Sequence, residues 1–372
     1  MKKIVTIITK LEFGGAQKIA LYSANNLGKG FESYFISGEI GILDKDKKKK
    51  YSNIKQFFNI RQMHREIKIL DDLRSFIALI ILLKKIKPAV VHTHSPKAGL
   101  IARWAAFFAG VPKIVHTHHG FGLALTLSRK LQFFYFLLEK MNTLITDQLI
   151  FVSEGNFNYA IKNKIANKKK SVIIHCGIDL EAYGKKNTKK IKTKGPVTIG
   201  VIACFKKVKA PLDIVRVAAC MKQMNTEFVI IGDGELRAEI EEEVIKLGVS
   251  DKIKLLGWQD NIPEILETFN IFLLTSLSEG LPLALLEAMA SSLPIVATNI
   301  QGIRDLIISN ENGFLVEPHD ISGFVEKITL LLNNQHLQEK FIKNSLAILT
   351  DKFDQRRMVR KVLQVYQGGN NV

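Results

Sequence analysis

No run of apolar residues in this 372-residue chain approaches the ~18–20 needed to span a bilayer. The longest, 77–83 and 133–138, are short and sit inside otherwise helical patterns. Cysteine is scarce: Cys176, Cys204 and Cys220 form no close pair and are odd in number, which argues against a disulfide framework or a zinc site and fits reduced thiols. The opening residues Met1-Lys2-Lys3-Ile4-Val5 start basic but lack the apolar core and small-residue cleavage site of a secretory signal, so a cytoplasmic location is expected. Acidic residues are few in one half only. Residues 1–194 hold 13 Asp+Glu against 35 Lys+Arg, a net of +22; residues 195–372 hold 22 against 18, a net of −4; together they give +18. The excess gathers at 45–50, 162–170 and 185–194. One reading is a face of solvated lysines. The other is docking on an anionic membrane surface, where each basic residue gains ~1 kcal/mol. Nucleic acid would attract the same charge. However, the chain has no aromatic RNP-type motif, no zinc-finger spacing and no clear recognition helix, so nucleic acid is not the expected partner.

What is present is a repeated alternation of apolar strand, loop and amphipathic helix. Strands are predicted at 4–8, 34–37, 89–92, 113–116, 149–152 and 172–174, with helices such as 17–27, 75–85 and 98–109 between them. A Lys- and Gly-rich stretch at 185–195 reads as a linker. The pattern then restarts with strands at 197–203, 228–231, 253–255, 271–274, 295–297 and 314–316. Such alternation implies parallel sheets covered by helices on both faces. The predicted organisation is therefore α/β, with two Rossmann-like domains, 1–184 and 196–350, facing across a cleft. Ligands are expected beyond the carboxyl ends of the strands. A last helix, 351–372, with Phe353, Met358, Val359, Val362, Leu363 and Val365 near helical spacing, is expected to pack back on the first domain.

The most specific chemical signal is Ser278-Glu279-Gly280-Leu281-Pro282-Leu283, continuing to Glu287 and Ala290 after the strand at 271–274. Pro282 suits a first helical position, Gly280 permits close backbone approach, and the free amides of a helix start form an anion site. Glu279 alone is explicable as a helix cap. Glu287, mid-helix among apolar residues, needs polar partners such as sugar hydroxyls. Next is Cys204-Phe205-Lys206-Lys207-Val208-Lys209-Ala210-Pro211 at the end of the strand 197–203. A lysine just before a helix start opposes the dipole unless an anion lies between them, which singles out Lys209. Gly14-Gly15, after the first strand, allows either close approach to substrate or simply a tight turn. Gly232-Asp233-Gly234 reads as pocket lining or as a turn and helix start. His92, His94, His116, His118 and His119 crowd two strand ends; alternate strand residues share a face, but no carboxylate set in the sequence pattern completes a metal site. Asp44-Lys45-Asp46 spells a metal-binding Asp-x-Asp but sits in a lysine run rather than at a strand end.

Over most of its length the chain resembles family 4 retaining glycosyltransferases of the GT-B fold, the kind that build surface polysaccharides. The resemblance rests on the Glu-x7-Glu spacing of Glu279 and Glu287. It implies that Glu279 holds hydroxyls of the transferred sugar and that Glu287 binds the nucleotide ribose. The amides of Gly280, Leu281 and Leu283 would face the diphosphate, Lys209 would bind it, and Gly14, Gly15 and Gly232 would line the donor site. His119 would stand beside the donor sugar near the reacting carbon, with His118 the alternative after a one-residue slip. Two departures stand out: Cys204 occupies the family's arginine position, with Lys206 the candidate replacement, and Gln17 stands where glutamate is usual. The implied reaction is metal-independent transfer of a hexose from a nucleotide diphosphate sugar, a UDP-sugar being expected, to a lipid-linked or glycan acceptor, with no cofactor. The aromatic stretch 133–138 beside Arg129-Lys130 fits a helix at a lipid interface. Two other readings are a sugar-nucleotide epimerase or hydrolase on the same fold, and a non-catalytic basic protein binding membrane or nucleic acid.

Overall fold

The computed structural model describes residues 1–39, 47–122, 128–183 and 195–368. The Asp44-Lys45-Asp46 motif and the lysines of 185–194 lie outside the described residues. Two compact units organise the chain, one of Met1–Gly177 with Gln355–Val372 and one of Ile178–Asp354.

In the first unit seven strands form one sheet: β1 (Lys2–Lys10), β2 (Phe31–Glu39), β3 (Ile54–Asn59), β4 (Val90–His94), β5 (Lys113–His118), β6 (Gln148–Phe151) and β7 (Ser171–Ile173). Every pairing is parallel, in the order β3-β2-β1-β4-β5-β6-β7. Ile4, Val5, Ile7 and Ile8 of β1 are all buried, as expected of a central strand with helices on both faces. β3 was not expected from the sequence. Its Ile-Lys-Gln-Phe-Phe-Asn lies at the sheet edge with most side chains at least partly exposed, so it lacks the unbroken apolar run that betrays a buried strand.

The second unit carries β8 (Val197–Ile202), β9 (Thr226–Ile231), β10 (Ile253–Gly257), β11 (Ile271–Leu274), β12 (Ile295–Thr298) and β13 (Phe314–Val316), again all parallel, in the order β10-β9-β8-β11-β12-β13. Strand order reverses between β1 and β4 in one sheet and between β8 and β11 in the other. In open parallel sheets those are the points where ligands bind, beyond the carboxyl ends.

The unit boundaries fall earlier than the predicted linker. The Ile178 amide donates to the Phe353 carbonyl at 2.9 Å, and the short helix Leu180–Tyr183 packs on the helix Leu283–Ala290, which draws 178–183 into the second unit. The helix Gln355–Gln367 belongs to the first unit, where it buries Met358, Val359, Val362, Val365 and Tyr366. Its Tyr366 hydroxyl lies 2.6 Å from Nδ1 of His92.

The first unit also buries an ion pair. Arg103 is 0% exposed; its guanidinium donates to Glu139 Oε2 at 2.7 Å and to the Gly99 carbonyl at 2.6 Å. Removing one partner strands the other charge in the core, at a cost of about 3–5 kcal/mol. Arg103→Ala should therefore lower the denaturant midpoint of the first unit sharply, whereas Arg103→Met with Glu139→Leu should restore most of it.

Candidate active site

At the carboxyl end of β8 the chain runs through Cys204 and Lys206 into a single 3-10 turn, Lys207–Lys209, and then into the helix Pro211–Cys220. Pro211 occupies the first turn of that helix as expected. Ala210 between them has φ 45°, left-handed for a residue with a Cβ. Thr275, just beyond β11, secures this kink: its hydroxyl donates to the carbonyls of Lys209 at 3.1 Å and Ala210 at 3.2 Å. Lys209 is thereby aimed at the β11 loop, where its Nζ meets Glu279 Oε1 at 2.6 Å. Burial pulls the Lys209 pKa down, but the facing Glu279 carboxylate outweighs it with help from Cys204, leaving the ammonium above its ordinary value. The anion that Lys209 requires is thus supplied first by the protein itself.

Glu279 does not cap the following helix. That helix is Leu283–Ala290, preceded by Pro282 in an extended conformation with no side-chain cap, one residue later than the predicted start. Leu281 and Leu283 are buried, and so is Gly280. The Glu279–Gly280 backbone rests on Gly302, where a Cβ would run into the carbonyl oxygens of both residues. Glu287, 4% exposed, is not without a protein partner: the Tyr183 hydroxyl is hydrogen-bonded to it, and burial followed by the Glu287 charge raises the tyrosine pKa. Gly232 has φ 136°, and a Cβ there would strike the Ala203 carbonyl. Its loop is knit to the Lys206 loop by Phe205 N–H to Asp233 O at 2.9 Å and Leu236 N–H to Phe205 O at 3.0 Å. Asp233 accepts from Gly234 N–H and pairs with Arg237, the turn-forming role. Gly232 thus supports the Lys206–Lys209 loop through backbone contact.

In the first unit, Gly14 is extended at φ −164° and Gly15 is not among the positive-φ glycines, so turn geometry does not demand glycine at either. Gln17 folds over Gly14 and donates to the Lys10 carbonyl at 3.2 Å. His118 closes β5, buried between Phe151 and Phe121 with ring centroids 5.0 and 5.3 Å away. Half-buried His119 lies just past the strand, with Nε2 2.9 Å from Nδ1 of His94. His92 bonds Tyr366 and Thr117, and His116 bonds Thr93. Burial holds these imidazoles neutral, lowering His92 and His119 to about 3 and His118 to about 4.

A carboxylate does join the histidines, contrary to the sequence reading: the ligand atoms of His116, His118 and Glu139 lie within 4.8 Å of one another. The Arg103 guanidinium already occupies Glu139 and disfavours a second positive charge there.

The fold thus gathers Lys206, Lys209, Gly232, Glu279, Gly280, Leu281, Leu283 and Glu287 in the second unit around the β8–β11 switch point. In the first unit Gly14 and Gly15 stand at the N-terminus of the helix Gly15–Asn25 beyond the carboxyl end of β1, and His119 lies just past β5. Sequence reasoning missed Thr275, Tyr183 and Gly302. Only Gly302 left a trace, as a glycine in a helical stretch, where propensity disfavours it.

Residues 13–182 match the family model described as Glycosyltransferase Family 4, and residues 184–347 the model described as Glycosyl transferases group 1. The chain is 32% identical over 326 residues, 84% of each protein, to the UDP-Gal:alpha-D-GlcNAc-diphosphoundecaprenol alpha-1,3-galactosyltransferase of Escherichia coli. It is 26% identical to the capsular polysaccharide biosynthesis glycosyltransferase CapM of Staphylococcus aureus, over 88% of this chain and 89% of that one. Among solved structures, Anabaena Alr3699/HepE in complex with UDP and glucose shares the fold, with a TM-score of 0.80 over 99% of this chain and 100% of that one at 17% identity.

Gly302→Ala should displace the Glu279–Gly280 carbonyls and disturb the Lys209–Glu279 contact, as NMR of the Lys209 ammonium would register. Because the clash is with backbone, the melting temperature should fall as well.

Proposed function

Because this chain belongs to glycosyltransferase family 4, we propose that it moves a hexose from a UDP-hexose donor to a lipid-linked glycan, retaining the anomeric configuration without a bound metal. One observation carries the reading: the Lys209–Glu279 pair, 2.6 Å apart, stands at the switch point of the second sheet beside the start of the helix Leu283–Ala290. As the bond from anomeric carbon to diphosphate breaks, negative charge develops on the departing oxygen. Lys209, with its three donors, Lys206 and the first amides of that helix are the groups to stabilise it. Glu279 takes hydroxyls of the sugar, and Glu287 the ribose, in exchange for Tyr183. The acceptor oxygen bonds to the anomeric carbon on the face the diphosphate leaves, and its proton passes to the departing phosphate oxygen. Neutral His119 orients the sugar. The Escherichia coli relative makes UDP-galactose and a GlcNAc-diphosphoundecaprenol acceptor the first pair to test.

With that pair, the purified protein should form a disaccharide-lipid whose new linkage is α, and EDTA should leave the rate unchanged. Lys209→Ala and Glu279→Ala should each cut kcat by about 10²–10³. Donor turnover at an equal rate with no acceptor would favour the hydrolase or epimerase reading.

The acceptor end points to a peripheral position on the inner face of the cytoplasmic membrane. Among the described residues no helix is long and apolar enough to cross a bilayer. In the first unit the helices Ile69–Ile86, Pro96–Phe108 and Arg129–Leu144 pack side by side. They expose Phe107, Phe108, Phe133 at 72% and Leu144 at 76%, with Lys130 and Lys140 exposed nearby. Tyr135 and Phe136 turn inward to pack near Phe121 and Tyr159, so the aromatic stretch is divided between core and surface. Apolar tips among lysines suit an anionic headgroup layer. Vesicles containing phosphatidylglycerol should retain the protein at low salt, pure phosphatidylcholine should not, and Phe133→Ser with Phe134→Ser should weaken retention.

A further inference from the structure

His94 is the last residue of β4, beside the switch point of the first sheet, and is 1% exposed. Its Nδ1 lies 2.9 Å from His119 Nε2, while its own Nε2 is buried and meets no hydrogen-bonding partner among the described residues. The next residue, Ser95, has φ 68°, a conformation a serine holds only where its surroundings impose it. Thr9 of β1 imposes it, through a 2.6 Å hydroxyl–hydroxyl bond and its own N–H to the Ser95 hydroxyl at 3.3 Å. The Thr9 hydroxyl also accepts from the Ala98 amide at 3.1 Å. The backbone is thus strained at the point that fixes where the His94 ring stands.

Both imidazoles are neutral, burial holding His94 well below its ordinary pKa and His119 down to about 3. One proton lies between them, and two arrangements are possible. If His119 Nε2–H donates, His94 must carry its proton on Nε2, as a buried N–H with no acceptor among the described residues. If His94 Nδ1–H donates, its Nε2 is left as an unused lone pair, and His119 carries its proton on Nδ1. Orphaned buried N–H groups are rarer than under-used acceptors, so the second arrangement is preferred.

We propose that His94 is the positioning residue of the site: it donates Nδ1–H to His119 Nε2, locking His119 in the Nδ1–H tautomer. His119 then meets the substrate as a neutral hydrogen-bond donor rather than as a proton acceptor. This rests on the assignment of His119 to the donor sugar.

Long-range nitrogen–proton NMR correlations on the full-length protein with [15N]histidine should show both His94 and His119 protonated at Nδ1, the peaks being assigned by single His→Gln variants. His119 protonated at Nε2 would overturn the proposal. In turnover of UDP-galactose, His94→Phe should lower kcat/KM by about tenfold or more. His94→Asn, whose amide nitrogen takes the place of Nδ1, should recover most of that loss. A folded His94→Phe enzyme with unchanged kcat/KM also overturns it. Wild-type turnover in His119→Ala would instead refute the assignment of His119 to the sugar, and the tautomer measurement would then decide the His94 contact alone.

Discussion

A single ammonium–carboxylate contact, Lys209 to Glu279, joins two loops that leave different strands of one sheet. Much of the second unit's architecture serves to make that contact possible. Ala210 adopts a left-handed backbone so that Lys209 can turn toward β11, and Thr275 from β11 holds the kink. The Leu277 amide donates to the Val208 carbonyl at 2.8 Å, adding a main-chain tie between the same loops. From the other sides, Gly302 supports the Glu279 backbone and Gly232 lets a third loop abut Ala203. Such a site is built by backbone contact, which is how a fold holds charged groups at fixed distances.

The alternation of strand and helix made the two parallel sheets legible, because buried parallel strands are continuous apolar runs. β3 escaped since an edge strand has no such requirement. Among the site residues, Glu287 could be read because an acid mid-helix among apolar residues sits awkwardly. Lys209 and Glu279 could be read from a cation placed before a helix start and from the Glu-x7-Glu spacing. Their pairing could not be read, being a contact across 70 positions. That pairing also changes the reasoning: the charge that Lys209 demanded comes from the chain itself, so its position alone did not require a diphosphate. Tyr183 was hidden for a related reason, since nothing in Leu180–Tyr183 advertises a hydroxyl bonded to Glu287.

The histidines divide in the same way. Alternation along β4 and β5 predicts them together, and the sequence pattern shows no carboxylate set to complete a metal site. The structure shows a shared carboxylate, Glu139, and also the arginine that occupies it. Four of the five rings lie in the core, bonded to threonines, a tyrosine or His119, or stacked on phenylalanine. Of these five, only His119 combines a place beyond the strand with partial exposure.

Mutual neutralisation of Lys209 and Glu279 has a bearing on selectivity. A crevice floored by bare lysines would scavenge inorganic phosphate, nucleic acid and any passing polyanion. Here the cation is already satisfied, so on the proposed reading a visitor gains only by offering an anionic group to the lysine and hydroxyls to the carboxylate it disturbs. On that reading, a nucleotide diphosphate sugar offers both, a phosphate to Lys209 and sugar hydroxyls to Glu279.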